Sequence, residues 1–314
     1  MPLVSIVIPT WKGSARLQRC LEALSRQTFR DFEVIVVWNE GDDRKEIRVP
    51  AGMALRVEIS KTNIGFAAAA NWGARVAQGL YLALLNDDAF PEPGWLEALV
   101  EGVEIGEEVG ACASLMVFDQ QPNIVQSAGI AMDRAAIAWD RWRGRPVAEA
   151  QIGGEVFGAS AGAALYRRQM WEQLGGFDER FFAYLEDVDL AWRAQVAGWR
   201  CLYIPEAVVR HQGSATLGES SPRKKILLGR NKVWLVAKNA LLEDLSVILL
   251  YDLFAVIYAI AWRWDWYPLL GRLEGLRNLR PFLSRRCPGR PRLLEPLVPP
   301  WKIPKRLQFV ASAG

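Results

Sequence analysis

The sequence predicts an α/β fold, a mostly parallel sheet with helices on both faces, and three observations carry that reading. Short β-branched runs such as Leu3-Val-Ser-Ile-Val-Ile8 and Phe32-Glu-Val-Ile-Val-Val37 are apolar almost throughout, as strands covered on both faces are. Segments with helical spacing of apolar residues alternate with them. Polar residues collect where the runs end, and in such sheets ligands bind beyond the carboxyl ends of the strands. The 314 residues allow one large domain of this kind plus an appendage.

The first strand, Leu3 to Ile8, is closed by Pro9. It is too short for a secretory apolar region and lacks a basic flank, so it is expected to be the first core strand. A helix follows from about Ser14 to Arg26, with Leu17, Leu21 and Leu24 on one face. The second strand is Phe32 to Val37 and the third Leu55 to Ile59. Ala67 to Gln78 is a helix of small residues, and Leu80 to Leu85 is the fourth strand. The strand ends expected to face a ligand are Pro9-Thr10, Trp38-Asn39 and Asn86-Asp87-Asp88. Further on, Glu186-Asp-Val-Asp189 opens a helix carrying Leu190, Trp192 and Val196, and a strand around Ala207 to Val209 leads into His211.

The character changes after about residue 215. Residues 263–314 hold eleven Lys/Arg against three Asp/Glu, leaving a slightly acidic body and a basic tail. That asymmetry points to an anionic partner for the tail alone. Leu245 to Trp262 is apolar except for Ser246 and Asp252, and Trp262, Trp264, Trp266 and Tyr267 follow. Eighteen residues is the lower bound for a membrane span, and a carboxylate at mid-bilayer costs about 2.5–3.5 kcal/mol. A helix lying in the headgroup region, anchored by the tryptophans and flanked by basic residues, is therefore favoured over a span or a soluble core helix. The tail contains no nucleic-acid-binding motif, so nucleic acid is not the expected partner. Cysteines 20, 112, 201 and 287 lie far apart with no CxxC pair, which excludes a zinc cluster or disulfide framework and fits a reducing compartment.

Three groups carry chemistry. Asn86-Asp87-Asp88 offers hard oxygen ligands for Mg²⁺ or Mn²⁺ at a strand end, or is simply an Asx-rich turn. The carboxylates of Glu186-Asp-Val-Asp189 suit a helix N-terminus electrostatically. Three acids in four residues also repel, which is tolerable if one faces a cation or substrate. Residues 187 and 189 point about 200° apart on a helix, so they cannot share one task. His211, the chain's only histidine, is either structural or a metal ligand, and beside carboxylates it would suit Mn²⁺ somewhat better than Mg²⁺.

In their order along the chain these motifs resemble glycosyltransferase family 2, and more narrowly its bacterial rhamnosyltransferase-type members, from Val4 to about Lys238. Val4-Ser-Ile-Val-Ile-Pro-Thr10 resembles the family's opening strand, whose Pro-Thr turn, here Pro9 and Thr10, borders the nucleotide base. Asn63-Ile-Gly-Phe66 and Asn71-Trp-Gly73 resemble elements that line the nucleotide pocket, which implies roles for Asn63, Gly65 and Asn71. Leu85-Asn-Asp-Asp88 matches the L-N-x-D form of the D-x-D motif, implying Asp88 as metal ligand and Asn86 and Asp87 as donor contacts. Pro93-Gly-Trp-Leu96 matches the next segment. Gly175-Gly-Phe-Asp-Glu-Arg-Phe-Phe182, the Glu186-Asp187 pair and Trp192-Arg193 reproduce the acceptor-side block, in which Asp187 is the implied catalytic base beside Glu186. His211 matches the family's metal-binding histidine.

The resemblance implies a GT-A fold with a catalytic domain over 1–222, divided into a nucleotide-sugar half (1–115) and an acceptor half (116–222). A helical, basic, membrane-associating region would occupy 223–314. It implies an inverting, metal-dependent transfer, best matched by L-rhamnose from dTDP-rhamnose to a polyprenyl-diphosphate-linked saccharide, at the cytoplasmic face of a membrane and for cell-surface polysaccharide. A UDP-hexose or UDP-GlcNAc donor is the nearest alternative. One departure bears on the nucleotide: where the family has V-D-N-x-S, this chain has Val37-Trp-Asn-Glu-Gly41. Trp cannot accept a hydrogen bond from the base, although it could stack on it, so either Asn39, Glu40 or Asp42 takes over that contact or base selection is altered. A nucleotidyltransferase would need a basic, Gly-rich phosphate loop, for which Lys12-Gly13 is a poor candidate. A non-catalytic nucleotide-sugar binder would not need the Glu-Asp pair, and a dehydrogenase would need G-x-G-x-x-G after the first strand.

Overall fold

The computed structural model describes residues 1–40, 47–213, 221–284, 286 and 288–302. Asp42 and the last twelve residues of the basic tail lie outside the described residues. The chain runs β1 (Val4–Thr10), α1 (Ser14–Ser25), β2 (Phe32–Asn39), β3 (Leu55–Ser60), α2 (Phe66–Val76), β4 (Tyr81–Leu85), β5 (Ala89–Pro91) and α3 (Trp95–Glu104). It continues through β6 (Val109–Phe118), β7 (Gln121–Ser127), β8 (Ile130–Met132), β9 (Ala138–Asp140), β10 (Gly154–Val156), β11 (Ala163–Arg167), α4 (Arg168–Leu174), α5 (Glu186–Val196) and β12 (Arg200–His211). Four helices close it: α6 (Pro222–Asn239), α7 (Leu245–Arg263), α8 (Tyr267–Arg277) and α9 (Arg280–Leu283).

One sheet in the order β10-β12-β6-β11-β4-β1-β2-β3 organises the domain. β4, β1, β2 and β3 are parallel neighbours, and so are β6 and β12. β11 enters antiparallel between β4 and β6, which makes the sheet mixed. The seven residues of β1 are all buried because helices cover both faces. Successive side chains alternate between two cores. Ile6, Ile8, Val34, Val36 and Trp38 pack with Leu17, Leu21 and Leu24 of α1. Val7, Ile35, Val37, Leu82 and Leu84 pack on the opposite side with Ala67, Ala70 and Ala74 of α2.

This alternation corrects one sequence expectation. Trp38 shares the parity of Val34 and Val36, so it lies fully buried in the α1-side core. It does not line the cleft and is not placed to stack on a base there. Its indole N–H has no hydrogen-bond partner among the described residues, an unusual cost for a buried donor.

The C-terminal helices are not a separate lobe. Residue 222 falls at the start of α6, and buried side chains of α6 bond back to the sheet domain. Lys238 Nζ lies 3.0 Å from Asp178 and 2.8 Å from Asp189, while Asn239 donates to Asp189 at 2.8 Å. The helix Leu242–Arg263 has a mean hydropathy of 2.1, yet only 11% of its apolar window is buried. A soluble core helix of that composition would be mostly covered. Asp252, midway along it, is clamped by Nε and Nη2 of Arg272 from α8 at 2.7 and 2.6 Å.

Candidate active site

The parallel strands place Thr10, Asn39 and the turn after Leu85 at one edge of the sheet. β12 runs parallel to β6 and ends at the same edge, on His211. A cleft of about 440 Å³ lies there. Of the sequence-predicted site residues, Pro9, Thr10, Asn39, Asn63, Gly65, Asn86, Asp87, Asp88, Glu186, Asp187 and His211 all line it.

The Asn86–Asp88 turn separates two adjacent carboxylates. After the turn, β5 pairs antiparallel with the end of β12, with Ala89 opposite His211, and this brings Asp88 against the histidine. Asp88 Oδ1 lies 3.0 Å from His211 Nε2. Asp87 turns the other way and accepts from the Thr10 hydroxyl at 2.6 Å, with Arg16 at 3.7 Å. Burial lifts the Asp87 carboxyl to about 6, with the Thr10 bond and Arg16 opposing. Burial also acts against ionisation of Asp88, but the hydrogen bond and charge of His211 outweigh it and hold that carboxyl below its ordinary value.

The Asp88–His211 pair fits a divalent cation. Two adjacent ligands of an octahedral ion at about 2.1 Å stand roughly 3 Å apart, which matches the observed separation. His211 Nδ1 lies 2.7 Å from Gln126 Oε1 and donates to it; a neutral ring then turns its Nε2 lone pair towards Asp88, with Asn86 Nδ2 at 3.3 Å, whereas a protonated ring donates to the carboxylate. Facing lone pairs at that distance need a shared proton or a shared cation between them. Among the described residues no group of three or more His, Cys, Asp or Glu side chains converges. An ion here would therefore be completed by water and ligand oxygens, as magnesium sites at phosphates commonly are. Gln126 is a residue that sequence reasoning missed; it lies 85 residues from His211 in an exposed-to-buried hairpin strand with no motif to mark it.

Across the cleft, Glu186 and Asp187 open α5. Asp187 Oδ1 accepts from the Val188 N–H at 2.8 Å and Oδ2 from the Ala161 N–H at 3.2 Å. Burial pushes its carboxyl up to about 6, against those backbone bonds. Glu186 is raised well above its ordinary value by burial and by the Asp187 charge, and its Oε2 has no hydrogen-bond partner among the described residues. The pair therefore suits a shared proton, with Asp187 the member that ionises more readily. Asp189 points away, as the helical spacing requires, and is fully buried against Arg193, Lys238 and Asn239.

Other predicted residues serve the frame. Asn39 accepts from Ile64 N–H at 2.7 Å and donates to the Gly65 carbonyl at 3.2 Å, so both ends of its amide hold the 63–65 turn. Gly65 needs its left-handed φ of 86°, and a side chain there would collide with Phe182. Asn71 does not line the cleft; it braces α2 to Phe177 through both ends of its amide at 2.8 and 3.0 Å. Trp192 donates to the Gly289 carbonyl, and Arg193 bonds Asp189 and the carbonyls of Leu174 and Gly176. Neither reaches the cleft. At its rim, Glu40 accepts from Trp11 Nε1 at 2.9 Å.

Known proteins resemble this chain in sequence and in fold. The family model for "Glycosyl transferase family 2" matches residues 5–175. Over 228 residues the chain is 28% identical to "O-antigen biosynthesis protein RfbC" of Myxococcus xanthus, covering 68% of this chain and 18% of that longer protein. It is 27% identical over 242 residues to an "N-acetylglucosaminyl-diphospho-decaprenol L-rhamnosyltransferase" of Mycobacterium tuberculosis, covering 69% of this chain and 78% of the relative. Among solved structures it superposes on GalNAc-T7 with UDP, GalNAc and Mn²⁺ at a TM-score of 0.64 and 16% identity, over 81% of this chain and 51% of that one. It superposes on the Pyrobaculum calidifontis mannosyltransferase PcManGT with GDP-Man and Mn²⁺ at 0.53 and 16%, over 88% of both. These two structures establish the fold, GT-A, and nothing finer.

Proposed function

We propose that this chain, which belongs to glycosyl transferase family 2, is a metal-dependent inverting enzyme that transfers L-rhamnose from dTDP-rhamnose to a polyprenyl-diphosphate-linked saccharide. One observation carries the reading: Asp88 and His211 lie 3.0 Å apart on one wall of the cleft, whose opposite wall carries an Asp187 raised to about 6. Asp88 and His211 would hold Mn²⁺ or Mg²⁺, which when bound stabilises negative charge on the departing diphosphate. The Thr10, Asn63 and Asn86 side of the cleft would receive the nucleotide sugar. Asp187 would accept the proton of the acceptor hydroxyl as that oxygen attacks the anomeric carbon from the face opposite the diphosphate, which inverts the configuration. Glu186, kept protonated, would leave the charge on its neighbour.

The rhamnose donor and the lipid-linked acceptor are supported by the likeness to the Mycobacterium tuberculosis enzyme. Attachment to the cytoplasmic face of a membrane through α7 and α8 is supported by the poorly covered apolar helix and the exposed Trp262, Trp264 and Trp266. A thermal-shift panel of dTDP-rhamnose, UDP-sugars and GDP-mannose, each with and without Mn²⁺ or Mg²⁺, tests the donor and the metal together. Stabilisation follows RT ln(1 + [L]/Kd). One nucleotide sugar should stand out, and only with metal. A response equal for all donors and indifferent to metal refutes the proposal, while a UDP-sugar standing out refutes the rhamnose donor alone.

A further inference from the structure

The five residues before Glu186-Asp187 are held in an unfavourable backbone shape. Phe182, Tyr184 and Leu185 all have positive φ, at 65°, 71° and 65°, in a run with no glycine. Such residues cost of order 1–3 kcal/mol each and persist only where their surroundings over-determine them. The segment lines the cleft, and Leu185 is the residue on which α5 begins, with no side-chain cap. Its shape therefore sets where Glu186 and Asp187 point.

The restraint comes from α6, beyond residue 222. Asn231 is fully buried, and its Nδ2 donates to the carbonyls of Phe181, Ala183 and Tyr184 at 3.0, 2.8 and 2.7 Å. Three carbonyls share the two hydrogens of this amide nitrogen, so an acceptor oxygen in its place would be repelled by all three. Arg230 fixes the amide by donating from Nε to Asn231 Oδ1 at 3.0 Å, and its Nη2 donates to the Phe181 carbonyl at 3.0 Å. Arg230 is itself held by Glu274 of α8 at 3.2 Å and stacks on Trp234. The α8 backbone sits directly on α6 here, since a side chain at Gly271 would reach within 2.2 Å of the Ile226 carbonyl. From the other side, the first turn of α2 donates to the Phe182 carbonyl at 3.1 Å.

We infer that Asn231, with Arg230 behind it, is a positioning residue for sugar transfer: it holds the left-handed 181–185 segment that aims Asp187 into the cleft. The C-terminal helices are on this account part of the catalytic apparatus as well as its attachment. The inference rests on the reading of Asp187 as the base.

The test is Asn231→Asp, which keeps the size and replaces the donor by an acceptor facing three carbonyls. Turnover, donor Kd and the pH profile of kcat are measured on the full chain, with a thermal melt to establish folding. Small misplacements of reacting groups cost up to about 100-fold. The expected result is a kcat lower by about 10- to 100-fold, a donor Kd within about twofold of the parent, and an acid limb displaced along the pH axis. A folded variant with kcat within about twofold, or one losing donor affinity and kcat in parallel, overturns the inference. If Asn231→Asp does not melt cooperatively, Arg230→Lys is read by the same criteria, because it keeps the charge and removes the fork that fixes the amide. Asp187→Asn measured alongside separates the two claims. Normal turnover there refutes the base, whereas its loss together with normal turnover in Asn231→Asp refutes only the positioning role.

Discussion

Replacing Asp187 by Asn should make the protein nearly inactive without making it less stable. General-base assistance contributes about 10²–10⁴ in rate, or roughly 3–5 kcal/mol of activation free energy. Turnover in Asp187→Asn should fall by at least that lower factor, while donor affinity survives. The stability side follows from the carboxyl's own shift. Its value rises from 3.8 to about 6 on burial, so the folded state prefers the protonated form. The contribution this makes to stability is fully present below pH 3.8 and is lost as pH rises through about 6. At neutral pH the ionised group therefore costs the fold up to about 3 kcal/mol, which a neutral amide removes. Against this, Asn keeps one acceptor where Asp187 offers two to the N–H groups of Val188 and Ala161, and a lost acceptor costs about 1–3 kcal/mol. The net is a gain of about 0–2 kcal/mol, read as an unchanged or higher Tm in the absence of ligand. Sugar transfer is assayed with donor, metal and acceptor, and donor binding by titration. Near-normal turnover in Asp187→Asn would refute the assignment. A Tm well below the parent would refute the account of the buried charge.

Further outcomes follow from the same geometry. In the parent, kcat/KM should fall about tenfold per pH unit below about 6 and level off above it, and a pH–rate profile without that acid limb excludes Asp187 as the titrating base. Gln126→Leu should weaken the Mn²⁺ affinity of the protein–donor complex by about 10- to 100-fold, because the ring of His211 loses its orienting partner; an unchanged metal titration would count against His211 as a ligand. Asp189→Ala should destabilise the fold by about 3–5 kcal/mol in chemical denaturation, since it leaves the buried Arg193 without its carboxylate and Lys238 with Asp178 alone. Leu249→Ser, Leu253→Ser and Ile257→Ser combined should reduce sedimentation with anionic vesicles by at least about 100-fold, because each exposed side chain stands to bury up to about 1.5–3 kcal/mol of apolar surface. Retained vesicle binding would show that α7 is not the membrane face.

The first half of the fold was legible because its signals are local. Continuous apolar runs marked β1, β2 and β4, and the leucines of α1 repeat every three to four residues, so these elements end within two residues of where periodicity puts them. The strands from β7 to β10 were not read, because β8, β9 and β10 are only three residues long and β7 passes from exposed to buried along its length. Among the site residues, what the chain order hid was direction. Asn39 and Asn71 carry amides that serve equally well as ligand contacts or as braces, and only the neighbouring backbone decides. Asp252 read as an unpaired cost because its partner, Arg272, belongs to the next helix. Trp38 was open to a better reading, since its parity with Val34 and Val36 already assigned it to the core.

Both acidic motifs divide their labour by backbone geometry alone. In a turn, neighbouring side chains diverge, so Asp87 ties the turn to Thr10 of β1 while Asp88 is left to face His211. On a helix, residues two apart point to nearly opposite sides, so Asp187 faces the cleft while Asp189 anchors α5 to α6. In each motif one carboxylate is left to act in the cleft, Asp88 beside His211 and Asp187 across from it, while its companion supplies rigidity through Thr10 or through Lys238 and Asn239. Neither motif can therefore be relocated by a single residue without losing both the site and the packing that supports it.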